Sequence, residues 1–270
     1  MKQYLFDFGY LQQAGPYDNS LDEETISAIK TYQKTFNLQD NGFLLNNQTL
    51  QQILLPRCGV PDINFEYGFS RTNYLSWPKG NKWLRKDTKL LTYGFAPESN
   101  VSSDMIEVFK NALMRWSTTT MVLNFTEATS YDVANIKIGF YISNEGVEDV
   151  VVGDSVIILQ NSYTSGVIRL NASKYWLLPT DKYPSWEDDE FDLETGAMHQ
   201  IGHLLGLDHS FETDSIMYPI INQRKVDISD SDIANTNQLY NDANYGNFGS
   251  SASSLVTSLF LGFAFLAMFN

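Results

Sequence analysis

One cysteine, Cys58, stands among 270 residues, so no disulfide can close within this chain and cysteine usage carries no record of the redox compartment. Histidine is nearly as scarce, with three residues in all. Lys and Arg number 18 against 32 Asp and Glu, a formal net charge of −14 at pH 7. That balance excludes a basic face able to track phosphates, and with it nucleic acid as a partner. The opening stretch Met1–Phe8 lacks the apolar run of a secretory leader. Against these absences stand 43% hydrophobic and 14% aromatic residues, ample for a core. The length suits one mid-sized domain with a small one attached.

The three histidines are not scattered. His199, His203 and His209 lie in the run Met198-His-Gln-Ile-Gly-His-Leu-Leu-Gly-Leu-Asp-His-Ser210. Imidazole nitrogen is a favoured zinc ligand, and a catalytic zinc takes three protein ligands and leaves one position open. Residues four apart share a helix face, so His199 and His203 can reach one ion. Gly206 can adopt a left-handed conformation, end the helix and bring His209 up as the third ligand. Three unrelated histidines packed in a core would not need this spacing.

This run resembles the extended zinc motif of the metzincins, with Met217 in Ser215-Ile-Met-Tyr-Pro219 where a Met-turn is expected. The whole chain resembles a matrixin, a matrix metalloproteinase, of the plant type without a hemopexin domain. The resemblance implies an α+β fold: a metzincin-like domain with a twisted mixed sheet and about three helices, preceded by a small all-α propeptide. It implies a propeptide of peptidoglycan-binding-like helices over residues 1–62, a linker at 63–82, a catalytic domain at 83–245 and a tail at 246–270. It also implies peptide or protein substrates of the extracellular matrix. Pro56-Arg-Cys-Gly-Val-Pro-Asp62 matches the family's cysteine-switch heptad. Cys58 would then fill the fourth zinc position in the latent form, since thiolate is a strong zinc ligand, making the propeptide the chain's own inhibitor. Arg57 and Asp62 are expected to pair and hold that loop over the cleft.

Local pattern agrees with this layout. Ile26, Ile29, Tyr32 and Phe36 recur at helical spacing over 23–36, with Ser20 and Asp22 as candidate caps. Residues 90–95, 123–126, 135–141, 150–160 and 167–170 read as strands, and 104–116, 192–205 and 231–240 as helices. The acidic run Glu187–Glu190 reads as a solvated face complementing the dipole of the metal-binding helix, in preference to a calcium site.

Two features depart from the family. Gln200 occupies the position of the family's catalytic glutamate, which takes the proton of the attacking water and passes it to the leaving amine. A carboxamide has the same shape but cannot accept that proton. Glutamine and glutamate codons differ by one base, so an error in the gene model is the other origin of this letter. The resemblance therefore supports two functions: a metalloendopeptidase with weak or lost activity, or a zinc-binding pseudoprotease acting as peptide binder, decoy or scaffold. The second departure is a missing structural-metal set. The family's structural-zinc positions fall on Glu145, Val147, Gln160 and Arg169, and its calcium carboxylates on Val152, Asn171 and Lys174. One zinc is expected, no structural zinc, and no reliance on calcium. Apolar packing of 150–159 is expected to hold the loop 143–166 in place of metal.

Small residues at 250–254 precede the apolar segment Leu255–Phe269, which is short for a bilayer span of about 20 residues. Small residues, polar spacer and apolar tail make the layout of a GPI-attachment signal, with the anchor expected within 244–251. A short transmembrane anchor or a strand tucked into the core are the other readings. A GPI signal calls for a leader, so the chain is expected to begin inside a longer precursor and to work outside the cell, anchored to the plasma membrane.

Overall fold

Asp22 accepts a hydrogen bond from the Thr25 amide (2.8 Å) and Asn46 one from the Thr49 amide (2.8 Å), and these two caps start the longest helices of the N-terminal unit. The computed structural model describes residues 1–12, 15–38, 44–63, 75–76, 89–121, 123–142, 150–159 and 164–241. Helices α1 (Lys2–Asp7), α2 (Glu23–Thr35) and α3 (Asn47–Ile53) make up the N-terminal unit. Tyr4, Leu5, Phe8, Ala28, Ile29 and Tyr32 form its core, with Tyr4 set edge-on to Phe8 and to Tyr32. Phe36, just past α2, reaches out of this core to the rings of Phe211 and Tyr218 (5.2 and 6.4 Å) and joins the unit to the larger domain.

The larger domain is organised on a mixed sheet. Its strands are β1 (Arg57–Cys58), β2 (Leu75–Ser76), β3 (Leu90–Phe95), β4 (Asn124–Glu127), β5 (Ile136–Tyr141), β6 (Val151–Leu159) and β7 (Thr164–Asn171). Their order is β1-β6-β7-β5-β3-β4, with β2 also on β6. Neighbours from β4 to β7 run parallel, whereas β6 is antiparallel to β7. Parallel neighbours need a crossover, and α4 (Ser103–Thr120) supplies the one between β3 and β4. Strands β8 (Tyr175–Leu177) and β9 (Glu190–Asp192) form a separate parallel pair leading into α5 (Leu193–Leu204), and α6 (Asp230–Asn241) follows. Three helices on a mixed sheet, behind a helical N-terminal unit, match the expected layout.

Helix α5 is buried all round: eleven of its twelve residues are inaccessible, as expected of a helix enclosed on every side. It packs on α4, where the indole of Trp116 donates to the Met198 carbonyl (2.9 Å). Ile136, Ile138 and Ile168 close the core from the sheet.

Two details differ from the sequence reading. Within the expected linker, Leu75–Ser76 pairs antiparallel with Ile157–Ile158, because β6 offers an open edge that extended backbone can occupy. The acidic run precedes α5 by a whole strand, in a short 3-10 turn (Trp186–Asp188) and β9. Asp189 and Glu190 are paired there with Lys174 and Lys182, so these acids do not complement the α5 dipole. Most of the linker, parts of the 143–166 loop including Glu145, Val147 and Gln160, and the tail from 242 onward lie outside the described residues. No helix among the described residues is long and apolar enough to cross a membrane.

Candidate metal centre

Asp192 starts α5 by accepting from the amide and hydroxyl of Thr195 (2.9 and 2.7 Å), and its other oxygen accepts from Arg224 (2.7 Å). His199 and His203 then fall one turn apart on one face, both fully buried. The helix ends in a Schellman motif: Leu207 N–H bonds the Gly202 carbonyl (3.0 Å) and Gly206 N–H the His203 carbonyl (2.9 Å). Gly206 sits at φ +101°, a conformation costly for any residue with a Cβ. The chain reverses there and returns His209 to the other two.

The donor set fits a metal ion. His199 Nδ1–H donates to the Ile216 carbonyl (2.7 Å) and His203 Nδ1–H to the Leu207 carbonyl (2.8 Å). His209 Nδ1–H donates to Asp62 Oδ1 (2.8 Å). Carbonyl and carboxylate oxygens only accept, so each Nε2 is left as a bare lone pair. Yet His203 Nε2 lies 3.1 Å from His199 Nε2 and 3.2 Å from His209 Nε2. Lone pairs so close repel unless a cation lies between them. A tetrahedral zinc would set such nitrogens about 3.3 Å apart and sulfur to nitrogen about 3.6 Å. Cys58 Sγ is 3.5 Å from His203 Nε2. All four ligand atoms lie within 4.8 Å of one another, and this is the one such cluster among the described residues.

Burial also sets the protonation states. It pushes His199 down to about 3 and His203 well below its ordinary value, with repulsion from neighbouring histidines adding to the effect. Burial likewise lowers His209, against the pull of Asp62. Neutral imidazole is the form that ligates. Without a cation, burial pushes the Cys58 thiol up to about 12, while the Val60 amide and Gln200 pull the other way. A bound divalent ion reverses that preference and deprotonates a coordinating thiol.

Cys58 reaches the cluster on β1, which adds to β6 as a parallel strand and is bonded on its other side to 219–221. Arg57 N–H reaches Val150 O (2.7 Å), Gly59 N–H Gly153 O (2.8 Å), and Cys58 N–H Pro219 O (2.9 Å). Extended peptide thus fills the groove by strand addition. Arg57 pairs with Asp62 as expected, both side chains fully buried, and the guanidinium lies 3.5 Å above the Phe8 ring. Burial opposes ionisation of Asp62, but Arg57 and then His209 outweigh it and hold its carboxyl at about 2.

Gln200 points into the same space and is fully buried. Its Nε2 donates to Cys58 Sγ (3.3 Å), and its Oε1 accepts from the Ser155 hydroxyl (2.7 Å). Met217 is buried, its sulfur packed close against Gly202 of α5 and near the Trp116 ring. Asp232 supports that turn by accepting from the Ser215 hydroxyl (2.6 Å) and the Ile216 amide (2.7 Å). Sequence reasoning missed Ser155 and Asp232, which lie in a strand and a helix whose local patterns mark no such role. Asp208, beyond Gly206, is exposed.

At the family's structural-metal positions, Arg169 pairs in bidentate fashion with Asp154, its register partner across β6 and β7. Val152 is fully buried, Asn171 donates to Val151 O (3.0 Å), and Lys174 reaches Asp189 (2.8 Å).

Sequence comparison agrees with this geometry. Residues 82–241 match the family described as Matrixin, and residues 1–53 match a peptidoglycan-binding domain family. Metalloendoproteinase 1 of Glycine max is 38% identical over 249 residues, covering 89% of this chain and 80% of that protein. Metalloendoproteinase 5-MMP of Arabidopsis thaliana is 36% identical over 270 residues, covering 94% and 74%. Metalloendoproteinase 2-MMP of Arabidopsis thaliana is 35% identical over 273 residues, covering 89% and 69%.

Proposed function

The chain belongs to the matrixin family of metalloendopeptidases, and from that premise we propose that Cys58 keeps it latent and that Gln200 leaves its proteolysis weak or lost. Zinc on His199, His203 and His209 would supply Lewis-acid polarisation of a peptide carbonyl and of a water. The remaining work falls to the protein. The groove between β6 and residues 219–221 binds extended peptide by backbone pairing, as it binds Arg57–Cys58. Buried walls exclude bulk water from the reacting bond. Proton transfer is the missing part, because the Gln200 carboxamide takes up no proton at neutral pH. A general base contributes about 10²–10⁴-fold, and that is the expected deficit.

The observation that carries this reading is the amide of Gln200 held between Ser155 and Cys58. It supports latency and impaired catalysis together: the group that cannot serve as base is well suited to face sulfur. The test is peptide cleavage by the full chain after Cys58 is displaced with a mercurial, beside Gln200→Glu, with zinc content measured in both. The glutamate version is expected to cut about 10²-fold faster or more. Equal rates at equal zinc would show that another group supplies the base.

The intact peptide groove favours a second reading, a zinc-binding pseudoprotease acting as peptide binder, decoy or scaffold. Peptide retention without cleavage by the displaced chain would support it. The pattern of 246–270 extends either reading to an extracellular, GPI-anchored protein. Release of a tagged chain by phosphatidylinositol-specific phospholipase supports that setting, and retention points to a transmembrane anchor.

A further inference from the structure

Each metal-ligand histidine needs an acceptor for its second nitrogen, and the three acceptors come from different places. Ile216 O and Leu207 O, which serve His199 and His203, lie within the larger domain and stay with it when the prosegment leaves. The acceptor for His209 is a prosegment carboxylate, Asp62 Oδ1 at 2.8 Å. We propose that Asp62 is the outer-sphere carboxylate of the metal centre, so that the prosegment tightens the grip of His209 on zinc while Cys58 blocks the open position. The proposal rests on the matrixin reading of the three histidines as zinc ligands.

The carboxylate is firmly placed. Tyr10 donates its hydroxyl to Oδ2 (2.7 Å) and Arg57 donates Nη2 to Oδ1, with the Asp62 and His209 side chains fully buried. Arg57 is itself fixed by the Tyr4 hydroxyl (3.0 Å) and by the face of Phe8. A continuous chain of contacts therefore runs from the aromatic core of the N-terminal unit through Arg57 and Tyr10 to Asp62 and His209. A carboxylate on the far nitrogen fixes the tautomer, orients the ring and raises its basicity. Loss of such a partner typically costs 10–100-fold in metal affinity. Binding free energies are reciprocal, so zinc must hold the prosegment through His209 and Asp62 by the same factor, independently of the bond to Cys58. Displacing the prosegment then removes two supports of the metal.

The chain has only three histidines, so the zinc-loaded full-length protein offers three Nδ1–H signals to proton NMR. In Asp62→Asn one of the three is expected to shift, and zinc loss to a chelator to speed up about 10–100-fold. Thiol labelling of Cys58 reports whether the prosegment has stayed in place. Tyr10→Phe, which spares the carboxylate, is expected to leave all three signals close to their wild-type positions. If Asp62→Asn exposes Cys58, the wild-type chain decides: displacing its prosegment with a mercurial should move one Nδ1–H signal and leave the other two. Three unmoved signals, or unchanged zinc loss in Asp62→Asn with Cys58 still protected, overturn the proposal. Histidine signals that fail to respond to zinc would instead refute the ligand reading on which it rests.

Discussion

Ser155 donates its hydroxyl hydrogen to Oε1 of Gln200 at 2.7 Å, and that bond decides which end of the amide faces Cys58. An amide has a donor end and an acceptor end. With Oε1 engaged by Ser155, Nε2 is turned toward sulfur. A glutamate at 200 would present only acceptors to the same sulfur.

Removing the Ser155 hydroxyl should therefore loosen the hold of Gln200 on Cys58. A neutral hydrogen bond contributes about 1 kcal/mol, or about fivefold in an equilibrium. Ser155→Ala in the full-length chain is expected to raise the rate of Cys58 alkylation about fivefold, and Gln200→Glu by more. An unchanged rate in Ser155→Ala would mean that the amide is oriented by something else.

Arg169, at one of the positions matched to the family's structural zinc, links β7 to β6 through Asp154. Arg169→Met is expected to cost about 1–2 kcal/mol in chemical denaturation, because it leaves Asp154 half-buried and unpaired. Adding Asp154→Leu should recover part of that loss. Native mass spectrometry of the loaded chain should find one zinc, and a second tightly held ion would contradict this account.

Gly202 allows the Met217 turn to press against α5. A Cβ there would overlap Met217 Sδ and lie 3.0 Å from the Trp116 ring. Gly202→Ala should cost about 1–3 kcal/mol and lower zinc occupancy. Met217→Leu, which nearly conserves volume, should cost less than about 1.5 kcal/mol. Denaturation curves and metal content check both.

Asp7 gives a pH-dependent prediction. Burial raises its pKa; the Gln3 amide, bonded to Oδ1 (2.7 Å), acts against this, and Oδ2 has no partner among the described residues. A raised folded-state pKa means that ionisation penalises the native state, fully so above that pKa. Asp7→Asn should stabilise the full chain by about 1 kcal/mol at pH 7. The gain should shrink as pH falls through the raised pKa and vanish below about 4, where the carboxyl is protonated in both states. Thermal melts across that range test the sign.

Much of the centre was legible in the chain because its determinants are local. Four-residue spacing puts His199 and His203 on one face, and a glycine permits the turn that recovers His209. The heptad around Cys58 marked the sulfur that lies beside the three histidines and the Arg57–Asp62 pair. Apolar periodicity located β3, β5, β6, α4 and α5 to within a few residues.

Other partners depended on how distant segments pack. Ser155 meets Gln200 only because β6 runs beneath α5 in one register; a slip of one residue would turn the hydroxyl to the opposite face. Asp62 meets His209, 147 positions away, only because the N-terminal unit docks through Phe36 and Arg57. Asp232 reaches the Met217 turn from a helix whose own pattern gives no reason for it. Ligand identity and spacing are properties of short stretches of chain, set by helix geometry and side-chain chemistry. The groups that orient those ligands are chosen by strand register and domain docking, which arise only when the whole chain has packed.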